Sequence, residues 1–104
     1  MLYVLFMEDD PERTHLRDEL AEAHGAYLKA HRDKILLGGA QLREDGKSRH
    51  GSVLIVNVAN LDEAEAFSRD EPFRKAGLFR TVRISRMRRG TWNPENAPST
   101  PDGN

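Results

Sequence analysis

The sequence has no cysteine and no long hydrophobic run. Without cysteine, the 104-residue chain can form neither disulfides nor thiolate metal sites. No apolar stretch approaches the roughly 20 residues that a membrane-spanning helix needs. The opening segment, MLYVLFMEDD, lacks the basic region and the small-residue cleavage site of a signal peptide. These absences favour a soluble, cytoplasmic protein with no membrane partner.

The chain also lacks an excess of either charge. It carries 16 Lys plus Arg against 17 Asp plus Glu, a formal net charge of -1. Binding to nucleic acid usually depends on an excess of positive charge, so we expect no nucleic-acid partner. The arginines between residues 80 and 89 are spread along a predicted strand, a pattern more typical of a solvated sheet edge than of a nucleic-acid patch.

Six segments have a regular pattern of apolar residues. Four are predicted strands: residues 2–7, a segment beginning at Ile35 (LLGGAQL), residues 51–58 and residues 78–87. Two are predicted helices, from about Pro11 to His31 and from Leu61 to about Asp70. The order β-α-β-β-α-β predicts an α+β, ferredoxin-like fold, in which two helices cover one face of a four-stranded antiparallel sheet.

Two of the predicted strands, residues 2–7 and 51–58, are apolar on both faces. Because two helices cover only one face of the sheet, the other face would expose a large apolar patch. We therefore expect a homodimer that packs sheet against sheet about a two-fold axis. The domain is predicted to span residues 1–92. Residues 93–104, rich in Pro, Asn, Ser and Gly, are predicted to form an extended or disordered arm.

The first predicted helix carries a histidine on its apolar face, in the sequence AEAHGAYL. His24 is therefore either a packed boundary residue or a general acid or base that works near neutral pH. His31 lies seven residues further on, roughly 10 Å along a helix, which is too far for the two histidines to share a metal ion easily. We predict no metal site, and nothing in the sequence requires an organic cofactor.

Two other features bear on a site near His24. Asp70 and Glu71 end the second predicted helix, where acidic residues oppose the helix dipole. They either lie in an exposed loop or supply a carboxylate that orients the histidine. Gly38 and Gly39 interrupt the second strand, which indicates either a β-bulge or close approach of a ligand to the backbone. These features predict a small-molecule pocket between the first helix and the sheet.

Several segments together resemble the YCII (YciI-like) domain family, from Met1 to about Pro94. The matching segments are MLYVLFMED, AEAHGAYL, LLGGAQL, GSVLIVNVANLDEAEAF and DEPFRKAGLF. The resemblance implies a dimeric α+β barrel. It also implies a histidine in the first helix and an aspartate in an Asp-Pro-aromatic segment, which together suggest an enzymatic role in a family whose functions are largely unassigned. His24 matches the histidine, whereas the segment here reads Asp70-Glu71-Pro72-Phe73, so either Glu71 or Asp70 is the acid.

The leading hypothesis is therefore a small lyase- or isomerase-type enzyme. His24 would transfer a proton in the elimination or isomerisation of a small organic substrate, with Glu71 or Asp70 orienting its ring. The residues expected to contact the substrate are Gly38, Gly39, Tyr27 and Phe73. The alternative is a non-catalytic module for ligand binding or regulatory interaction. Catalysis is favoured if His24 lies within hydrogen-bond reach of an acid and lines an accessible cavity.

Overall fold

The computed structural model describes residues 1–104. The chain folds into one layer of β-sheet and one layer of helices. The strands are β1 (Leu2–Asp9), β2 (Ile35–Leu42), β3 (Arg49–Asn57) and β4 (Phe79–Met87). The helices are α1 (Leu16–Glu19), α2 (Ala21–Ala30), α3 (Leu61–Asp70) and α4 (Pro72–Lys75), with short 3-10 turns at Arg32–Lys34 and Pro94–Asn96. All strand pairs are antiparallel and the sheet order is β2-β3-β1-β4. The predicted α+β, ferredoxin-like fold is confirmed.

The core lies between the helices and one face of β1 and β3. Along β1, the odd-numbered residues from Tyr3 to Asp9 are buried, whereas the even-numbered ones are only partly buried. This period of two is the pattern of a strand that has one face packed against the core. The buried cluster consists of Tyr3, Leu5, Met7, Leu54, Val56, Val58, Ala64 and Phe67. None of the four α-helices has the length and apolar composition that a membrane-spanning helix needs.

The prediction of one continuous helix from Pro11 to His31 was wrong. Residues 11–15 form turns, and the helical part is divided at Leu20, whose backbone angles of φ -107° and ψ 10° are not helical. The carboxylate of Asp10 accepts the N–H of Glu12, and the side chain of Arg17 is tied to Asp9 at the end of β1. These local and tertiary bonds hold the first turn near the end of the sheet, so that α2 starts as a separate helix.

Caps define the ends of the C-terminal helices. Asn60 accepts the N–H of Glu63 at 2.9 Å, and Glu63 accepts the N–H of Ala59 at 3.0 Å, which together cap the N-terminus of α3. α4 begins at Pro72, directly after Glu71, and the chain leaves it at Gly77, where φ is +82°. A positive φ favours glycine, which explains why the chain turns there into β4.

Strand β2 is an edge strand, and the helices leave most of it uncovered. Six of its eight residues are exposed, including the two glycines. Gly38 pairs with Leu54 of β3, and a Cβ atom at Gly38 would collide with the Leu54 side chain. The small residues of β2 therefore leave open space above the inner face of the sheet, beside α2.

Candidate functional site

His24 and Glu71 form a hydrogen-bonded pair where α2 meets α4. The His24 Nδ1 atom lies 2.5 Å from Glu71 Oε1. The carboxylate is 5% exposed, and it also accepts the backbone N–H groups of Phe73 and Arg74, each at 3.1 Å. An ionised carboxylate only accepts hydrogen bonds, so the pair requires a proton on Nδ1 and leaves Nε2 as the acceptor of the neutral ring. The same carboxylate thus caps a helix and fixes the tautomer of His24.

The second ring nitrogen of His24 is free. Nε2 makes no hydrogen bond. Because every buried side-chain nitrogen or oxygen of the chain has a hydrogen-bond partner, Nε2 is not a buried atom and is accessible to solvent. The imidazole stacks on the Phe73 ring, with 4.0 Å between the ring centroids and 15° between the planes. The stack and the Glu71 bond together set the orientation of a ring nitrogen that can accept or donate a proton.

A cavity of about 750 Å³, which His24 lines, lies between α2, the turn at Arg32 and strand β2. Gly38, Ser52 and Leu54 line it from the sheet, and His24 and Leu28 line it from α2. Its volume is within the range of about 300–1,000 Å³ that small-molecule sites occupy. A pocket between the first helical segment and the sheet is therefore present where the sequence predicted one.

The predicted substrate-contacting residues do not all lie in this cavity. Gly38, Gly39 and Phe73 line it, whereas Tyr27 does not. The Tyr27 hydroxyl instead donates to the carbonyl of Phe67 at 2.8 Å, and this carbonyl is one of the last four of α3 that lack a partner within the helix. The position of Tyr27 therefore gives no support to a role in binding substrate.

The surroundings of Tyr27 also affect its ionisation. Burial raises the pKa of the Tyr27 phenol above its usual value of 10.0, and the negative charges of Asp70 and Glu71 raise it further. Burial and nearby negative charge both disfavour the phenolate.

Of the two acids that the sequence left open, Glu71 contacts His24 and Asp70 does not. Asp70 is the last residue of α3, is exposed and makes no side-chain hydrogen bond or ion pair. The turn into Pro72 directs Glu71 inward, because its carboxylate accepts the first N–H groups of α4. The geometry therefore selects Glu71 as the partner, while a catalytic role for the pair remains a prediction.

A buried ion pair that was not predicted from the sequence lies beside the cavity. The guanidinium of Arg17 donates to both carboxylate oxygens of Asp9, at 2.6 and 2.8 Å, and the two side chains are 7% and 2% exposed. Arg17 Nη2 also lies 2.8 Å from the carbonyl of Gly51 and 3.1 Å from Ser52 Oγ. Such a bidentate pair, in which Nε and Nη2 are bonded and Nη1 is not, holds the arginine at the cavity wall.

Two signals in the sequence point to this pair. Arg17 precedes His24 by seven residues, a spacing that would place the two on the same side of one continuous helix. Asp9 continues the inward-facing alternation of β1, after Tyr3, Leu5 and Met7. A charged residue at an inward position requires a partner. Arg17 also lies over Phe73, with its guanidinium carbon 5.3 Å from the ring centroid. No three histidine or acidic side chains come close enough together to hold a metal ion.

Comparison with models of known protein families shows to which family the chain belongs. Residues 1–88 match the model of the YCII-related domain. The chain belongs to the YCII-related domain family. The resemblance inferred from the sequence motifs is thereby confirmed over most of the chain.

One solved relative in this family has a described ligand. The chain is similar to 5-chloro-2-hydroxyhydroquinone dehydrochlorinase (TftG) from Burkholderia phenoliruptrix AC1100, whose structure is a complex with 2,5-dihydroxybenzoquinone. The two share 34% sequence identity, and the match covers 85% of this YCII chain and 94% of the other, with a TM-score of 0.77. A search among proteins with curated descriptions finds no match.

Proposed function

We propose that this YCII protein is an enzyme that eliminates HX from, or isomerises, a small oxygenated ring compound, with His24 transferring the proton. The observation that carries the proposal is the 2.5 Å contact between His24 Nδ1 and Glu71, which leaves Nε2 unbonded on a side chain that lines a cavity of about 750 Å³. The likeness to a dehydrochlorinase supports an elimination. A histidine oriented by a carboxylate is a recurrent arrangement for proton transfer.

In the proposed elimination, Nε2 takes a proton from a hydroxyl group or a ring carbon of the substrate. When an O–H bond of a hydroxylated ring is broken, its electrons form a C=O bond and the ring carbon that bears the leaving group takes up a proton. Loss of a second hydroxyl proton then forms a second C=O bond, and the leaving group departs from that carbon with its electron pair, so that HX is lost in total. Glu71 stabilises the imidazolium that forms, because its negative charge is held against Nδ1 in a mostly water-excluded position. In an isomerisation, Nε2 returns the same proton to a different atom of the substrate.

The cavity fits a flat ring with polar substituents. Leu28, Leu54 and Phe73 supply apolar surface, and the absence of side chains at Gly38 and Gly39 leaves room along β2. Arg17 Nη1 makes no hydrogen bond within the chain. Because all buried side-chain nitrogens have partners, Nη1 is accessible and can donate to a substrate oxygen. Apolar walls with a few fixed polar groups are typical of small-molecule sites.

The test is chloride release from 5-chloro-2-hydroxyhydroquinone by the wild type and three variants. We expect His24→Gln to lose about 10²- to 10⁴-fold in rate, the usual contribution of a positioned acid or base. Glu71→Gln should be impaired as well, because it removes the charge that stabilises the imidazolium. His15→Gln is the matched control, since His15 is exposed and does not line this cavity.

Two results would contradict the proposal. One is a His24→Gln variant that releases chloride as fast as the wild type. The other is a wild type that binds 2,5-dihydroxybenzoquinone but turns over neither the chlorinated compound nor related ring substrates. The second result would favour the alternative of a non-catalytic ligand-binding or regulatory module.

A homodimer is the proposed assembly. The outer face of the sheet presents Leu2, Val4 and Phe6 of β1 beside Val53 and Ile55 of β3, and none of these five residues is fully buried within the chain. Packing this face against a second copy would remove the apolar patch from water. Sedimentation equilibrium at micromolar concentration should give the dimer mass, and a stable monomer there would contradict the assembly.

A further inference from the structure

The charges around the cavity have one sign. Its lining includes the four basic residues Arg17, Lys29, Arg32 and Arg49, and it includes no aspartate or glutamate. The chain as a whole has a formal net charge of -1, so this concentration of positive charge is local. Clefts lined by one sign of charge attract ligands of the opposite sign.

Only one of these four basic side chains is paired with an acid. Arg17 is neutralised by Asp9. Lys29, Arg32 and Arg49 form no ion pair with any carboxylate of the chain, whose ion pairs involve Arg13, Arg17, His24 and Arg80. Three positive charges at one cavity are therefore without a counter-charge from the protein.

The three unpaired residues come from three different elements. Lys29 lies in the last turn of α2, Arg32 begins the following 3-10 turn, and Arg49 is the first residue of β3. Their convergence on one cavity thus depends on the tertiary fold. Like charges that share a site repel one another, and a bound anion would relieve that repulsion.

We propose that the cavity takes an anionic ring compound, either an ionised hydroxyquinone or enolate or a ring carboxylate, and that Lys29, Arg32 and Arg49 are its specificity-determining residues. This inference rests on the proposed function, because the same cavity would hold the substrate of His24. The three cations would face the negative oxygens of the ligand, while the ring would lie against the apolar wall formed by Leu28, Leu54 and Phe73. They would also attract an anionic leaving group.

The test compares two ligands that differ in charge and hardly in shape: 2,5-dihydroxybenzoate and 2,5-dihydroxybenzamide. Their dissociation constants are measured by calorimetry at low salt and in 0.5 M NaCl. We expect the benzoate to bind more tightly at low salt and to lose that advantage in 0.5 M NaCl, because salt screens exposed charges. Single changes Lys29→Gln, Arg32→Gln and Arg49→Gln should each weaken benzoate binding about two- to five-fold, and the triple variant about ten-fold or more.

Controls separate charge recognition from damage to the fold. Arg86→Gln removes an exposed cation of β4, the strand at the opposite edge of the sheet from β2, and should leave benzoate binding unchanged. Binding of the uncharged benzamide by the triple variant should equal that of the wild type. 2,5-Dihydroxybenzoquinone serves as a second anionic probe, since its hydroxyl groups are acidic.

The possible failures are distinguishable. If the triple variant binds the benzoate as tightly as the wild type, or if neither anionic probe binds at millimolar concentration, the inference is overturned and the three cations are only a solvated rim. Selective anion binding in a protein that releases no chloride would overturn the proposed reaction and leave this inference standing. Chloride release by a protein that does not prefer the anionic ligand would overturn this inference and leave the proposed reaction standing.

Discussion

The carboxylate of Glu71 holds two parts of the molecule, so its removal should affect stability as well as any activity. Oε1 contacts His24 Nδ1 and accepts the N–H of Phe73, while Oε2 accepts the N–H of Arg74. In Glu71→Ala, the first turn of α4 loses its cap and the N–H of Phe73 is left without a partner among buried groups. His24 also loses the bond that fixes its ring.

The size of the effect follows from these contacts. Loss of an N-terminal cap costs about 1 kcal/mol, and an unpaired buried N–H costs about 1–3 kcal/mol. The two terms overlap because the Phe73 N–H contributes to both, so Glu71→Ala should lower the free energy of unfolding by about 2–3 kcal/mol. That is a large part of the roughly 5–15 kcal/mol expected for a domain. Glu71→Gln retains one oxygen acceptor, so it should lose only about 1 kcal/mol.

The assay is urea unfolding at pH 7, followed by circular dichroism, with a thermal melt as a second measure. At about 4–8 °C per kcal/mol, Glu71→Ala should melt roughly 10–20 °C below the wild type. Asp70→Ala is the matched control, because Asp70 is exposed at the C-terminal end of α3, where a carboxylate opposes the helix dipole. We expect that variant to stay within about 0.5 kcal/mol of the wild type. A Glu71→Ala loss below 0.5 kcal/mol, or an equal loss in Asp70→Ala, would refute this account of the site.

Three further predictions can be checked with the same unfolding measurements. Arg17→Met should lower the free energy of unfolding by about 3–5 kcal/mol, because it leaves the buried charge of Asp9 without a partner. The double variant Arg17→Met/Asp9→Leu should lose less stability than Arg17→Met alone, and additive losses from the two changes would argue against the pair. Tyr27→Phe should lose about 1 kcal/mol at pH 7, through the missing hydrogen bond. The raised pKa keeps the phenol of Tyr27 protonated in the folded state at a pH at which the unfolded chain ionises it. The stability of the wild type relative to Tyr27→Phe should therefore decrease as pH rises above 10, and a stability difference that does not change with pH would contradict this account. Gly38→Ala should lower the free energy of unfolding by about 1–3 kcal/mol, because the added methyl group collides with the Leu54 side chain of β3. Gly39→Ala points into open space and should leave stability nearly unchanged, so equal losses in the two variants would contradict this assignment of the collision.

Local signals in the sequence were sufficient for most of the fold. The period of apolar residues located all four strands to within about two residues. In the structure, Asn60 caps the start of α3, and Pro72 and Gly77 lie at the limits of α4. These signals work because caps, turns and strand faces depend on residues a few positions apart.

The first helix was predicted less well because tertiary contacts override its period. Arg17 was not predicted to be buried, yet its side chain is buried and bonded to Asp9. Its charge argues for the surface until a buried carboxylate partner is known, and that partner lies on another element. The single helix predicted through this region was likewise divided at Leu20.

For the candidate site, the sequence by itself determined which residues stood out. His24 interrupted an apolar stripe, Gly38 and Gly39 interrupted a strand, and two acids preceded Pro72. It did not determine which acid meets the histidine, because 47 residues separate His24 from Glu71 and no local pattern spans that distance.

Only the tertiary structure decided the rest. The docking of α2 against α4 brings His24 to Glu71, and the turn into α4 leaves Asp70 outside. The uncovered edge strand β2 opens the cavity, and three separate elements bring unpaired cations to it. The physical reason is that a local pattern records what each segment can form, whereas the pairing of charged groups depends on how distant segments pack.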